Sequence, residues 1–441
     1  MKLFYVLIIL ILFQNCSFDN KSGIWKSEDR NNVTENDVFK EFNTLSTLSD
    51  SFNETIPFNN KLAFKLSAPI NNIKWNDIFY DQSNNFKNFI YSDSNEIIFK
   101  SKKITKYQVN NFILFEKDNL ISSDLKGNVI IFSIKENKVI VKFNFYKKRY
   151  KKIIKKLNFI IEDNIIYISD NIGYLYAFDY KNNKILWAKN YKVPFRSNLK
   201  ILENNLVAAN QNNNLYFFNK LNGNKLRSIP TEETLVKNKF INNLSSNKDS
   251  LFFLNTYGSL YAINIKSMRM SWFINLNQSQ NLNPSNLFSG NKIINNDSKI
   301  IVSSNQFTYV IDANSGTIIY KKKFSSQVKP IIINDYLFLI SKNNLLISMN
   351  LKTGNIIYSY DINQKIAKYL NIKKNKVEFK NIIIANDKIL IFLKNSYILK
   401  FNINGNLEQV KKLPSKLNTN PIIIDGSILY LDFKNKLSIV D

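Results

Sequence analysis

Histidine is the side chain most often used to move protons near neutral pH, and this chain of 441 residues has none. That excludes histidine triads, imidazole general bases and histidine metal sites. The single cysteine, Cys16, lies just behind an uninterrupted apolar run of 11 residues, Leu3 to Phe13. With that cysteine committed elsewhere, thiol nucleophiles, thiolate metal sites and disulfides are excluded too. Carboxylate pairs remain: Asp93 with Glu96, and Glu232 with Glu233. Both sit in loop-like stretches, with no spacing that demands acid–base hydrolysis of a glycoside. No phosphate-binding loop and no dinucleotide fingerprint occurs. The residues therefore point to noncovalent work, a scaffold and not a catalyst, with no cofactor and no metal.

The ends and the charge set the setting. Lys2 followed by the apolar run has the length of a signal segment and is too short to cross a bilayer. Residues 1–15 are expected to be that signal. Cys16 then takes the place of the lipid-attachment cysteine of a bacterial lipoprotein, although Gln14 and Asn15 replace the small residues usual before it. Ser17 is not the Asp that favours inner-membrane retention, which points to the outer membrane, periplasmic face. Residues 16–60 are polar and aperiodic and are expected to be a flexible tether. The net charge is +27, from 61 Lys and Arg against 34 Asp and Glu, densest at Lys147 to Lys156. Lys, Asn, Ile and Phe are all abundant and Gly is scarce, a compositional bias that accounts for the charge better than nucleic-acid binding does; an exported protein would not meet nucleic acid.

What would position a functional surface is a repeat. The clearest copy runs Asp170-Asn171-Ile172-Gly173-Tyr174-Leu175-Tyr176-Ala177-Phe178-Asp179 and reaches Trp187; another runs Asn255 to Asn264 and reaches Trp272. Equivalents of Asp179 fall at Ser133, Asn219, Asn264, Asp312, Asn350, Asn402 and Asp441, about every 44 residues. Each unit reads as a short apolar strand, a turn with Gly or Asn, an alternating strand, a second turn and a further strand. Room for a fourth strand makes each unit a blade, and eight units make an all-β, eight-bladed β-propeller of four-stranded antiparallel blades over residues 61–441. The Trp position, elsewhere Val141, Arg227, Tyr320, Tyr358 and either Val410 or Gln409, is expected to pack between blades. The last unit stops at Asp441 without its outer strand, so a strand from residues 60–100 is expected to complete it and close the ring.

The segment Gly173 to Asp179 with Trp187 resembles the repeat of quinoprotein-type eight-bladed propellers. One branch of that superfamily comprises dehydrogenases that hold pyrroloquinoline quinone and calcium on the propeller axis. Another is the BamB-type lipoprotein of the outer-membrane β-barrel assembly machinery, which carries no cofactor. With its lipoprotein start, its size and no adjacent cysteines, the chain resembles the second. The resemblance implies a non-enzymatic scaffold that binds the periplasmic domains of the BamA-type barrel protein and other machinery subunits, and that aids delivery of unfolded outer-membrane proteins. It also implies a docking loop of apolar-x-apolar-Arg pattern, matched by Val193-Pro194-Phe195-Arg196. Two apolar side chains beside an arginine have the make-up of an interface hot spot. The family's second contact, an acidic pair, is not kept: Lys239-Phe240-Ile241-Asn242-Asn243 stands there, with Asn242 and Asn243 as the weaker candidates. The alternatives are a quinone-dependent dehydrogenase and a propeller that binds glycans or cell surfaces.

Overall fold

The computed structural model describes residues 52–94, 96–233, 241–277, 288, 290 and 292–441, together with the backbone of two short strands, Cys16–Phe18 and Trp25–Ser27, which pair antiparallel. The chain divides into two units, residues 1–50 and residues 51–441. The expected signal segment and most of the expected tether lie outside the described residues.

Residues 51–441 form eight sheets arranged as blades, each built from consecutive strands running from the inside outwards. The inner strands are Leu114–Glu116, Leu157–Glu162, Lys200–Leu202, Asn243–Ser246, Ile294–Asn295, Ile331–Ile333, Phe379–Ala385 and Ile422–Ile424; the blades are numbered 1 to 8 in that order. The second and third strands are nearly continuous runs of buried Leu, Ile, Val and Phe because both faces are covered by neighbouring blades. Outer strands alternate, as in Lys138–Asn144, where lysines face water and Val139, Val141 and Phe143 are half-buried. In blades 1 to 7 the third strand ends at the repeat position read from the sequence, and the register slips by one residue on the outer strand soon after the following turn. In blade 7 Lys400 pairs with Gln409, so that turn is one residue shorter and Gln409, not Val410, is the equivalent of Trp187.

Blade 8 is completed by Ile97–Lys103, which pairs antiparallel with Lys436–Val440 and closes the ring. Blade 7 departs from four antiparallel strands, since Asn88–Phe89 adds a short parallel strand inside Phe379–Ala385.

Neighbouring blades are locked by an aromatic ring laid on a glycine. The Trp187 indole donates to the Lys220 carbonyl at 3.0 Å and lies against Gly223 of the next blade; Trp272 does the same with the Ala313 carbonyl at 3.2 Å and Gly316. Tyr320 repeats the arrangement with Lys352 and Gly354. A Cβ at Gly316 would stand 2.6 Å from the Trp272 ring, and its φ of +76° is one that side chains rarely adopt, so the turn needs glycine twice over. The Trp position is thus a packing device, as expected from the sequence.

Two elements lack any repeat signal. Residues 52–64 strap blade 6: Ile56 exchanges backbone hydrogen bonds with Ser359 at 2.9 Å, and Phe58 and Phe64 stack with centroids 5.6 Å apart beside Tyr358 and Tyr336. The expected tether to residue 60 is corrected here, because Phe52, Ile56 and Phe58 give this polar stretch enough apolar surface to dock. The helix Ile362–Leu370, between blades 6 and 7, is capped by the Asp361 side chain, which accepts from the Gln364 N–H at 3.1 Å, and ends at Asn371 in the left-handed region.

Candidate docking loop and the filled axis

The loop Val193 to Arg196 connects blades 2 and 3 and is held from both sides. The Phe195 N–H donates to the Asp170 carbonyl at 2.9 Å in blade 2. The Arg196 N–H donates to Ala209 at 3.0 Å and the Pro194 carbonyl accepts from Gln211 at 2.8 Å, both in blade 3. Gly173 permits the close approach, since a Cβ there would stand 3.0 Å from the Val193 backbone. Beneath it, the Asp170 carboxylate accepts from the N–H groups of Ile172, Gly173 and Tyr174 at 2.8–2.9 Å and from the Tyr146 hydroxyl at 2.6 Å. Burial nonetheless holds that carboxyl above the usual range.

The four residues do not share one role. Phe195 is 2% exposed and packs edge-on to Phe218, centroids 6.0 Å apart. The expectation that Phe195 faces a partner is corrected: its ring is already desolvated in the core between blades 2 and 3, so it anchors the loop from within. Val193, Pro194 and Arg196 are half-buried. Arg196 makes no ion pair among the described residues, and burial lowers its proton affinity. A partly desolvated guanidinium with no carboxylate is a directional donor to whatever meets this face.

Asn242 comes close to the same loop, but through its backbone. Its N–H donates to the Arg196 carbonyl at 2.9 Å, and its side chain reaches the Asn210 carbonyl at 2.8 Å. Asn243 donates to the Ile241 carbonyl at 3.1 Å. Both are buried. The expectation that they are contact side chains is corrected, because both are buried at the entry to blade 4, where each amide donates to a nearby carbonyl. Lys239 and Phe240 lie outside the described residues. The carboxylate pairs found in the sequence form no joint site: Asp93 is ion-paired with Lys400, and Glu232 accepts from Ser259 at 2.5 Å.

A second region was not legible in the sequence. Residues 72–89 occupy the centre of the ring and bond to the inner strand of every blade. Asn72 donates to Ile423 at 2.7 Å in blade 8, and Trp75 exchanges backbone bonds with Phe115 in blade 1. The Asn76 carbonyl accepts from Ile161 in blade 2, and Gln82 donates to Ile201 in blade 3 and accepts at its carbonyl from Ser246 in blade 4. The Ser83 carbonyl accepts from Asn295 in blade 5, Asn85 makes two bonds to Ile332 in blade 6, and Asn88 pairs beside Ile384 in blade 7. The plug carries a buried ion pair. Lys200 donates to Asp77 at 2.7 Å, to the Asp81 carbonyl at 2.8 Å and to Asn84 at 2.7 Å. Burial raises the Asp77 carboxyl against the pull of Lys200.

A family profile described as outer membrane protein assembly factor BamB matches residues 125–360, more than half of the chain. The chain belongs to the BamB family. The matched stretch takes in the outer two strands of blade 1 and blades 2 to 6. Solved structures agree on the fold. BamB from Moraxella catarrhalis is 11% identical, with 78% of this chain and 99% of that chain covered and a TM-score of 0.61. A europium-containing methanol dehydrogenase is 9% identical over 83% of this chain and 89% of its own, also at 0.61. The quinohemoprotein alcohol dehydrogenase from Comamonas testosteroni is 9% identical over 83% and 80%, at 0.58. The search of curated proteins gives no match. The propeller is common to both kinds of neighbour, and the fold by itself does not separate scaffold from dehydrogenase.

The centre of the ring leaves no room for a quinone on the axis, and its residues do not fit the metal. The centre is filled by Trp75, Phe86 and Phe89, buried at 3% exposure or less. Among the described residues no group of three or more His, Cys, Asp or Glu could hold a metal. The space left beside the plug is lined by Lys292, Lys329 and Lys380, which repel a divalent cation.

Proposed function

We propose that this chain is a non-enzymatic scaffold of the machinery that inserts β-barrel proteins into the outer membrane, held at the periplasmic face by lipid on Cys16. The ring is a rigid disc, and the Arg196 loop is its docking point for the periplasmic domains of a BamA-type barrel protein. The observation that carries this reading is Arg196 itself: half-buried, without a carboxylate, on a loop pinned by backbone hydrogen bonds to two blades and bonded through its own carbonyl to a third. Rigid presentation of a partly desolvated cation keeps the ordering cost of binding low. Val193 and Pro194 supply apolar surface beside it. The acidic contact pair is missing from the Asn242 and Asn243 positions, so the electrostatic weight of the contact falls on Arg196. Several acyl chains on Cys16 would give stable anchoring, where one chain is marginal.

The test is recovery of partners from the native envelope with the tagged, lipidated protein, wild type beside Arg196→Glu. A large β-barrel protein with periplasmic repeat domains should accompany the wild type and be lost from the variant. Recovery of no such protein with either would remove the assembly role; equal recovery with both would move the docking point elsewhere on the disc.

A further inference from the structure

Between the outer strand of blade 1 and the inner strand of blade 2 the chain concentrates its charge. Seven of the ten residues from Lys147 to Lys156 are Lys or Arg, and no Asp or Glu stands between Glu136 and Glu162. Compositional bias alone would scatter the cations, since 61 in 441 residues is about one in seven. Six of the seven are exposed: Lys147, Lys148, Arg149, Lys151, Lys152 and Lys156. None of these six makes an ion pair among the described residues. Lys126 is exposed on the adjoining turn of blade 1, where the Leu125 carbonyl accepts from the Lys155 N–H at 3.0 Å. The carboxylates that adjoin the segment are buried and bonded within the blades, Asp124 to Thr105 at 2.9 Å and to Asn128 at 2.7 Å, and Asp170 to Tyr146 at 2.6 Å.

The same segment leaves two aliphatic side chains in water. Ile153 is 43% exposed and Ile154 58%. Their exposure does not come from a loose backbone, because the segment is fixed on both sides. Asn171 of blade 2 donates to the Ile154 carbonyl at 2.9 Å and accepts from the Lys156 N–H at 2.8 Å. The Lys155 ammonium, the one buried cation of the seven, donates to the Tyr150 carbonyl. The Tyr150 and Tyr174 hydroxyls meet at 3.2 Å, and the Arg149 guanidinium lies over the Tyr150 ring, 4.7 Å from its centre. A single 3-10 turn, Lys148–Tyr150, and the Ile153 N–H bonded to the Tyr150 carbonyl at 3.1 Å complete the fold of the segment. What it offers is point charges on long stems beside aliphatic tips. That pairing matches an anionic bilayer, where lysine stems lie along the apolar boundary, their heads reach phosphates, and the tips gain by leaving water.

We infer that the segment from Lys147 to Lys156 is a membrane-contact surface that binds the phosphate headgroups of anionic phospholipids, with Ile153 and Ile154 entering the boundary between headgroups and acyl chains. The surface does not depend on the Arg196 docking point. That it meets a bilayer in the cell rests on the Cys16 anchor. An anchor limits the distance of the disc from the membrane; a second contact at blades 1 and 2 would fix which edge faces it.

The experiment is co-sedimentation of the full-length chain carrying Cys16→Ser, so that no acyl chain contributes, with vesicles of phosphatidylcholine and of an equal mixture with phosphatidylglycerol. Binding should require phosphatidylglycerol and weaken with added salt. Lys148→Gln, Lys151→Gln and Lys152→Gln together should weaken it about a hundredfold, roughly fivefold for each cation near the surface. The charge-matched set Lys248→Gln, Lys266→Gln and Lys323→Gln, exposed around blades 4 and 5, should leave it within about twofold, because charges beyond the screening length contribute little. Ile153→Gln with Ile154→Gln should weaken it about tenfold, the scale of a few methylenes kept in water. The dependence on phosphatidylglycerol is read on a chain with an intact segment, so it stands even where a segment variant fails to fold. Equal binding to both vesicles overturns the inference. So does equal weakening by the two lysine sets, which would leave only net charge. Undiminished binding by the isoleucine pair would mean that the segment meets a polyanion and not a bilayer, and overturns it as well. No barrel protein is present in the assay, so each of these outcomes leaves the Arg196 docking point to its own test.

Discussion

Arg196 and Lys200 are four positions apart in the chain, and the fold treats them oppositely. Lys200 lies wholly inside the ring and has three acceptors, one of them a carboxylate from a segment 123 residues away. Arg196 is half out of water with no ion pair among the described residues. A cation whose charge is matched within the protein contributes to architecture; one left unmatched is available to something else. The difference arises from position, since the inner strand faces the plug and the loop lies half in water.

The comparison can be broken most severely from its buried half. Asp77→Ala would leave Lys200 as an uncompensated internal charge and should destabilise the ring by about 3–5 kcal/mol in urea unfolding. Replacing both partners, Asp77→Leu with Lys200→Met, should recover most of that loss. A double variant no more stable than Asp77→Ala would mean that the plug is held by its asparagine and backbone bonds and not by charge.

Next comes the loop's own anchor. Phe195→Ala removes a buried ring and should cost about 3 kcal/mol of stability, whatever it does to partner binding. A stability change near zero would contradict the burial described above and return Phe195 to the surface. Arg196→Glu should do the reverse: stability within about 0.5 kcal/mol of wild type, partner affinity weakened by about 1–3 kcal/mol. Circular dichroism melts beside a binding titration separate the two outcomes.

The smallest effect concerns pH. Lys292 and Lys380 hold their protons less tightly in the folded chain, to about 8, than in the unfolded chain, where the value is 10.5. The penalty is complete below pH 8 and fades as pH rises towards 10.5, because the folded state loses its proton first. Their contribution to stability therefore rises with pH across that window. Urea midpoints for Lys380→Met should show a shallower rise between pH 8 and 10 than wild type; an identical slope would mean that Lys380 is well hydrated.

Much of the ring was written in the repeat. The positions from Ser133 to Asn402 close third strands because each combines an alternating apolar strand with a turn of Asn, Asp or Gly, a local pattern that survives in any context. Closure by an N-terminal strand was expected within residues 60–100, and the strand that closes blade 8, Ile97–Lys103, runs three residues past that range. The loop of residues 193–196 was legible by residue type but not by orientation: Val-Pro-Phe-Arg does not say that the phenylalanine turns inwards, which depends on Phe218 arriving from the third strand of blade 3 and on Tyr191 just ahead in the same connection. Asn242 and Asn243 looked like surface polar residues and are buried, Asn242 because its amide bonds to Asn210 of the preceding blade and Asn243 because it opens the inner strand of blade 4.

The sequence by itself determined the blade count, the strand alternation, the aromatic packing position and the absence of histidine from these 441 residues, all of which are local or compositional. Tertiary structure alone decided what fills the axis. Residues 72–89 mix asparagines and aspartates with Trp75, Phe79, Phe86 and Phe89, and no period betrays them. Their polar groups become interior structure only when eight inner strands meet around them and offer unpaired backbone groups that must be satisfied. The same convergence brings Lys292, Lys329 and Lys380, separated by 88 positions of chain, around one cavity.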